Sequence, residues 1–197
     1  MDEKWLQVVE SSINEGLHKA SQRLQRRKHI RINAEVHAIA SQGKRQTRVQ
    51  VTKELSVGIL APFSGRASGL LAFLLPWSGA QRFWAETMGS APLTTHDVTC
   101  EHLVALIEVA NEWCQGYCDE GLTPSNLEAH SDGSSVAIDM PMTILQTLAI
   151  ESARRKMTVC PLGLKVRIAD NQIEGQAFVA MRESRFKQMR TAKEVAA

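Results

Sequence analysis

The fold is decided by one stretch of sequence, His102-Leu-Val-Ala-Leu-Ile-Glu-Val-Ala-Asn-Glu-Trp-Cys-Gln-Gly-Tyr-Cys118. Its apolar side chains recur at spacings of three and four, which is typical of a helix that faces a core: Leu103, Leu106, Ile107, Ala110, Cys114 and Tyr117. The opposite side is polar, and it carries Glu108 and Asn111 one turn apart. A carboxylate beside an amide can hold a cation and a water together, although an ordinary solvated helix face has the same pattern.

The composition is that of a globular protein with a sizeable core. The chain has 197 residues, of which 44% are hydrophobic and 22% are charged, so a single domain is expected. The net charge of +2 is too small to favour nucleic acid as a partner. No basic segment followed by an apolar one opens the chain, and no apolar run approaches the roughly 18 residues that cross a bilayer. We therefore expect a cytoplasmic protein that does not bind a membrane.

The cysteines do not indicate a disulfide framework or a metal site. Cys100, Cys114, Cys118 and Cys160 are too sparse for a disulfide-rich secreted protein. Cys114 and Cys118 would share a helix face, but no histidine or carboxylate lies at a metal-site spacing from them. Buried, reduced thiols are expected, with neither a cofactor nor a metal on this chain.

Periodicity predicts the elements around this stretch. Helices are expected at 3–25, 79–88, 97–121 and, with an ambiguous pattern, 142–149. Strands are expected at 30–38, 45–55, 56–62, 70–77, 135–140, 164–168 and 173–179. Among these, 70–77 is almost continuously apolar, as in a central strand that is covered on both faces. A basic cluster from Arg23 to Arg31 follows the first helix, where cations complement the helix dipole.

This order of elements predicts an α+β fold. Helices lie between antiparallel hairpins rather than in alternating βαβ units, so an antiparallel sheet with long helices packed on one face is expected. The order of helix and strands partly repeats, which suggests an internal pseudo-duplication. We divide the chain into an N-terminal helix at 1–28, an α+β domain at 29–181 and an exposed, charged C-terminal tail at 182–197 that is either helical or frayed.

Familiar catalytic motifs are absent from the sequence. It has no serine nucleophile elbow, no zinc-binding His-Glu-x-x-His helix, no phosphate-binding loop and no kinase signature. His102 is expected to be a surface histidine rather than a catalytic base.

Two segments together resemble the chemotaxis CheC/CheX phosphatase family. They are Gly69-Leu-Leu-Ala-Phe-Leu-Leu-Pro-Trp-Ser-Gly-Ala-Gln-Arg-Phe-Trp-Ala-Glu-Thr-Met-Gly89 and Leu106-Ile-Glu-Val-Ala-Asn-Glu-Trp-Cys-Gln-Gly116. In that family a glycine-led apolar strand runs into a short helix, and a longer helix with Glu-x-x-Asn follows. The closing hairpin at 164–181 is also similar, so the resemblance covers roughly residues 30 to 181 and implies the family's CheC-like fold.

The resemblance implies a mechanism for Glu108 and Asn111 as the catalytic pair. The substrate would be the aspartyl phosphate of a CheY-like response regulator. The Asn111 amide would orient a water for in-line attack on phosphorus, and the Glu108 carboxylate would pair with a lysine of the receiver domain. The divalent metal would be held by the receiver. This is catalysis by positioning, which needs no nucleophile on this chain.

The sequence departs from the family pattern at three points. The family has an acidic residue or serine four positions before its glutamate, where this chain has Val104. The glycine after the motif falls one position late, at Gly116. A proline is expected near Gly133, and the nearest ones are Pro124 and Pro141. These departures concern catalysis rather than the fold.

Three readings therefore stay open at the level of sequence. The first is a phosphatase acting on phosphorylated receivers, and the second is a non-catalytic CheC-like interaction module in chemotaxis or two-component signalling. The third is an unrelated α+β protein with a solvated helix. A homodimer is compatible with all three, because some members of the family dimerise and an antiparallel sheet edge can pair with a copy of itself.

Overall fold

The computed structural model describes residues 3–38, 55–139 and 141–196. Its helices are α1 (Glu3–Lys28), α2 (Trp77–Met88), α3 (Cys100–Gly116), α4 (Pro141–Arg154) and α5 (Glu183–Ala196). Its strands are β1 (Ile32–Ala38), β2 (Ser56–Gly65), β3 (Gly69–Pro76), β4 (Ala129–Ser131), β5 (Ser135–Asp139), β6 (Thr158–Ile168) and β7 (Asn171–Met181). Within the described ranges, no helix is both long and apolar enough to span a membrane.

The strands form one antiparallel sheet with an internal pseudo-dyad. The strand order is β1-β6-β7-β3-β2-β4, and β5 pairs with β2 beyond the end of β4. Each half supplies a long helix, an edge strand, a long hairpin and a closing helix. The edge strand of each half pairs with the hairpin of the other half, and β3 meets β7 at the centre. The predicted α+β class and the pseudo-duplication are both present in this topology.

The sheet is covered on both faces. On β3, Leu71, Phe73 and Leu75 point into a large core with α1, α2, α3 and α5, as the predicted packing of long helices on one face requires. The alternate residues, among them Leu70 and Leu74, belong to a smaller core on the opposite face. There α4 contributes Ile144 and Leu148. Burial on both faces explains why the sequence of β3 is apolar at every position.

The two long helices cross at glycines, which lets their backbones approach. A Cβ placed on Gly116 would lie 2.2 Å from the carbonyl oxygen of Gly16, and a Cβ on Gly16 would lie 2.5 Å from the Cα of Tyr117. One turn away, the Ser12 hydroxyl donates to the carbonyl of Gly121 at 2.5 Å. This close crossing fixes the position of α3 on the sheet.

The sequence predicts that the residues after Arg182 are exposed and either helical or frayed; the helix is confirmed, and full exposure is wrong. They form α5, in which the side chains of Phe186 and Met189 are each only 1% exposed. Phe186 makes an edge-to-face contact with Trp5 of α1, with ring centroids 4.7 Å apart. α5 therefore packs against the core and covers part of it. The division of the chain at residues 28 and 181 stays a prediction.

Most other elements agree with the periodicity. The ambiguous segment at 142–149 lies within α4, so the weaker expectation of a helix is confirmed. The helix expected at 97–121 is α3 followed by a π-helical turn at Tyr117–Gly121. The closing hairpin is longer than expected, because β6 already begins at Thr158. The strand predicted at 45–55 lies almost wholly outside the described residues.

Candidate functional site

Helix α3 begins at a buried histidine cap. Both the hydroxyl and the backbone N–H of Thr99 lie within hydrogen-bond distance of His102 Nδ1, at 2.8 and 3.1 Å. The imidazole makes an edge contact with Trp84 of α2, and the indole N–H donates to the carbonyl of His102 at 2.8 Å. His102 is only 8% exposed, so the prediction of a surface histidine is wrong. The imidazole is buried because it contacts Thr99 at the start of α3 and is covered by Trp84 of α2.

Part of the polar face of α3 is used to bind α1. Arg23 Nε donates to Glu112 at 2.9 Å, and its Nη1 donates to Asp119 at 3.1 Å. Arg27 Nη1 lies 3.9 Å from the same Glu112 carboxylate. The side chains of Arg23 and Glu112 are about three-quarters buried. For Arg23, therefore, the helix-dipole explanation of the basic cluster is replaced by specific ion pairs between the two long helices.

Another polar residue of α3 holds strand β4. The Gln115 amide oxygen accepts the backbone N–H of Ser131 at 3.2 Å, and its amide nitrogen donates to Asp119 at 2.6 Å. Cys114 lies beside it and donates weakly to the carbonyls of Ala61 and Pro62 in β2. Gln115 and Cys114 thus belong to the framework that positions the helix.

The predicted catalytic pair lies on the remaining part of this face. Glu108 and Asn111 are one helical turn apart in the middle of α3, and both side chains are half-buried. The Asn111 amide oxygen is enclosed and has no hydrogen-bond partner, and no bond of this side chain is found within the described ranges. Val104, one turn before Glu108, is 50% exposed. The ridge is therefore an exposed apolar residue followed by a carboxylate and an unsatisfied amide.

The first half of the chain does not repeat this pair. Gly16 and Gly116 meet at the helix crossing, so they serve as equivalent positions on α1 and α3. Counting back from Gly16, the positions that correspond to Glu108 and Asn111 are Val8 and Ser11. One candidate pair is present rather than two.

On α1 a carboxylate and an amide have a structural use instead. Asn14 Nδ2 donates to the carbonyl of Val36 at 2.9 Å, and the N–H of Val36 donates to Asn14 Oδ1 at 2.7 Å. The N–H of Ala38 donates to the Glu10 carboxylate at 2.8 Å. These side chains cover the side of β1 that faces away from β6. Sequence reasoning missed both residues, because their partners lie on another element.

The buried thiols offer no alternative site. Cys114 and Cys118 are buried neighbours, and their mutual hydrogen bond lowers the pKa of Cys114 and raises that of Cys118. Burial raises the pKa of Cys160 to about 12 and also raises that of Tyr117. In the part of the chain that the structure describes, no three His, Cys, Asp or Glu residues are grouped as metal ligands.

Comparisons with solved structures match the whole chain. Thermotoga maritima FliY superimposes with a TM-score of 0.69 at 13% identity, over 98% of this chain and 96% of that one. FliM in the H. pylori FliG–FliM complex gives 0.60 at 11% identity, over 97% and 100%. CheX in the Borrelia burgdorferi complex with CheY, beryllium fluoride and magnesium gives 0.54 at 14% identity, over 87% and 97%.

No family model and no curated protein sequence matches the chain. The identities to the solved structures are low, so what these likenesses show is the architecture. It is shared over 87–98% of the length of the chain. The chain therefore has the CheC/CheX-like fold that the sequence resemblance predicted.

Proposed function

We propose that this protein hydrolyses the aspartyl phosphate of a CheY-like receiver domain, with Glu108 and Asn111 of α3 as the active pair. The observation that carries the proposal is the unsatisfied amide of Asn111. A buried polar atom without a partner costs roughly 1–3 kcal/mol, and six other buried side-chain atoms among the described residues share this state, Trp113 Nε1 of the same helix included. What distinguishes Asn111 is its place one turn from Glu108 on the half-buried polar face of α3. The CheX structure with the same fold is a complex with CheY, which supports a receiver as the partner.

The enclosed state of Asn111 makes the amide easy to reorient. Its oxygen has no hydrogen bond to lose, so turning the side chain outward breaks no hydrogen bond of that atom. On docking, the amide gains a water and the phosphoryl group as hydrogen-bond partners. The half-exposed Val104 lies one turn away and supplies an apolar contact beside the polar pair.

The chemistry then proceeds by positioning. Asn111 holds a water in line with the bond between phosphorus and the aspartyl oxygen. The water oxygen forms a bond to phosphorus as the bond to the aspartyl oxygen breaks, and the water's proton leaves on the inorganic phosphate product or to solvent. The receiver regains a free carboxylate. Glu108 accepts a hydrogen bond from a receiver lysine and so fixes the docked geometry, while the receiver's divalent metal bears the phosphoryl charge.

The test is phosphate release from a receiver domain of the source organism, phosphorylated with acetyl phosphate. Replacing Asn111→Ala should lower the rate about 100-fold, the usual loss for one transition-state hydrogen-bond group. Glu108→Ala should raise KM more than it lowers kcat, since that carboxylate acts in docking. Ser11→Ala, at the corresponding position of α1, is the control and should leave the rate unchanged. An unchanged rate for Asn111→Ala would refute the catalytic role.

A second candidate is a binding module without hydrolysis. It is favoured by the higher TM-scores to FliY and to FliM, since FliM is found in complex with FliG. This function predicts that the protein binds a partner, whether or not that partner is phosphorylated, without accelerating phosphate release. Measuring binding and release on the same wild-type sample separates the two candidates.

A further inference from the structure

A large groove lies between α5 and the segment 123–128, away from the pair on α3. Its volume is about 780 Å³, and its walls include Arg66, Asn126, Arg185, Lys187, Gln188 and Val195. Among the described residues, none of those that line the groove belongs to α3. The groove is thus separate from the candidate catalytic ridge and is not used by the proposed function.

Among the side chains that the structure describes, the charged ones that line the groove are cations. Arg66 enters from the turn after β2, and Arg185 and Lys187 enter from α5, while no carboxylate lines the groove among the side chains that the structure describes. Two carboxylates lie just outside it. Glu128 is 3.5 Å from Arg66, and Glu183 is 2.9 Å from Lys187.

These ion pairs leave the groove open to competing anions. All four side chains in the two pairs are about 70% exposed, and such pairs are weak and screened by salt. Arg185 donates to the amide oxygen of Gln188 at 2.8 Å and has no carboxylate partner within the described ranges. A carboxylate-bearing ligand can therefore replace the present partners at little cost.

One end of the groove is apolar. Val195 is 83% exposed, and it lines the groove together with Ala192 and the buried Leu127. From Arg185 to Val195 the groove follows α5 for about 15 Å. That length suits an extended segment of four or five residues better than a single phosphate group.

The pseudo-dyad provides an internal comparison. The corresponding groove in the other half lies between the C-terminal part of α2 and the turn after β6, with a volume of about 670 Å³. It carries Arg31 and Arg167, but also the carboxylates Glu86 and Asp170. The groove of α2 therefore has walls of mixed charge, although it is built in the same way as the groove of α5. The cationic walls of the groove of α5 come from its sequence and not from the architecture.

We propose that the groove of α5 binds an acidic peptide segment of a partner protein. Carboxylates of the segment lie against Arg66, Arg185 and Lys187, and an apolar side chain at one end contacts Val195. Charge complementarity and the length of the groove together identify this class of ligand.

The probe is a synthetic peptide of about eight residues, rich in Asp and Glu with a terminal leucine, titrated into ¹⁵N-labelled full-length protein. We expect saturable amide shifts at 125–127 and 185–195 that weaken as salt is added. Arg185→Glu should raise the Kd about fivefold or more. Arg31→Glu, in the comparison groove, should leave it unchanged. Thermal melts confirm that both variants fold, and Lys187→Glu replaces Arg185→Glu should that variant unfold.

Four outcomes would overturn the proposal. They are shifts at 29–33 as large as those at α5, equal binding of a lysine-substituted peptide, an equal loss with Arg31→Glu, and no saturable binding. Inorganic phosphate is titrated in parallel. Identical saturable shifts from phosphate, with none from the peptide, would assign the groove to a small anion and would also reject the proposal.

Discussion

Replacing Gly116 with alanine tests whether the crossing of α1 and α3 holds the candidate ridge in place. The added Cβ would lie 2.2 Å from the carbonyl oxygen of Gly16, 3.0 Å from its carbonyl carbon and 3.1 Å from the Cβ of Ala20. The first two are backbone atoms, which cannot move aside as the end of a flexible side chain can. To relieve the overlap, α1 must shift away from α3.

Two effects of opposite sign determine how much Gly116→Ala changes the free energy of unfolding. Alanine is favoured over glycine inside a helix by about 1 kcal/mol. Overpacking a core costs about 1–3 kcal/mol even when side chains can adjust, and here a whole helix must move. Because backbone atoms must yield, the steric cost should lie at the upper end of that range, about 3 kcal/mol, which leaves a net loss of about 2 kcal/mol. For a chain of this size that lowers Tm by about 4–8 °C.

The assay is thermal and urea unfolding followed by circular dichroism, with Gly89→Ala as the comparison. Gly89 ends α2 with a φ of 73°, and a Cβ added to it would meet no atom within 4 Å, so its substitution carries only the backbone penalty of about 1 kcal/mol. Gly116→Ala should therefore be the more destabilised variant. A Gly116→Ala protein as stable as the wild type would refute the argument from close helix contact.

Three further predictions follow from buried contacts. Asn14→Ala should destabilise the fold by about 2 kcal/mol in urea unfolding, because it leaves a backbone N–H and C=O of β1 without partners. Arg23→Ala should cost about 1–2 kcal/mol, and a double-mutant cycle with Glu112→Ala should recover about 1 kcal/mol of coupling. At pH 8, iodoacetamide should label the exposed Cys100 but not the buried Cys160, as mass spectrometry can show. The folded pKa of Cys160 is raised to about 12, so its contribution to stability is full below pH 9 and falls as pH rises towards 12.

Periodicity was sufficient for the elements that bury a regular stripe or face. The spacing of Leu106, Ala110 and Cys114 predicts α3, and these three residues are indeed buried. The continuous apolar run of β3 likewise predicts a strand covered on two sides. In both cases the local sequence specifies a single helix or strand, and the geometry of that element determines which of its side chains are buried.

Contacts between elements that are distant in sequence could not be predicted from periodicity. Among the described side chains of α5, Phe186 and Met189 are the deeply buried apolar ones, and they stand among many charges, so its sequence resembles that of an exposed tail. Its partner Trp5 lies near the opposite end of the chain. His102 is a similar case, since only the folded position of Trp84 shows that the imidazole is covered.

The candidate site shows the same limit within one helix face. Glu108, Glu112 and Gln115 are equivalent as polar residues of an amphipathic helix. Only the structure separates them, because Glu112 binds Arg23 of α1 and Gln115 binds the backbone of β4. The assignment of Glu108 and Asn111 came from the family resemblance, and the enclosed state of the Asn111 amide could not have come from spacing.

The pseudo-dyad shows that Asn111 is not among the polar side chains that hold the two sheet edges. Each half must satisfy backbone groups at a sheet edge, and each does so with polar side chains of its long helix. In the first half Asn14 and Glu10 bond to β1, and in the second half Gln115 bonds to β4. Asn111 takes no part in this, although an unsatisfied buried amide is costly. This cost alone does not assign a ligand, because six other buried polar atoms among the described residues share it. Asn111→Ala is the decisive variant because it removes the amide while leaving the bonds to β1 and β4 in place.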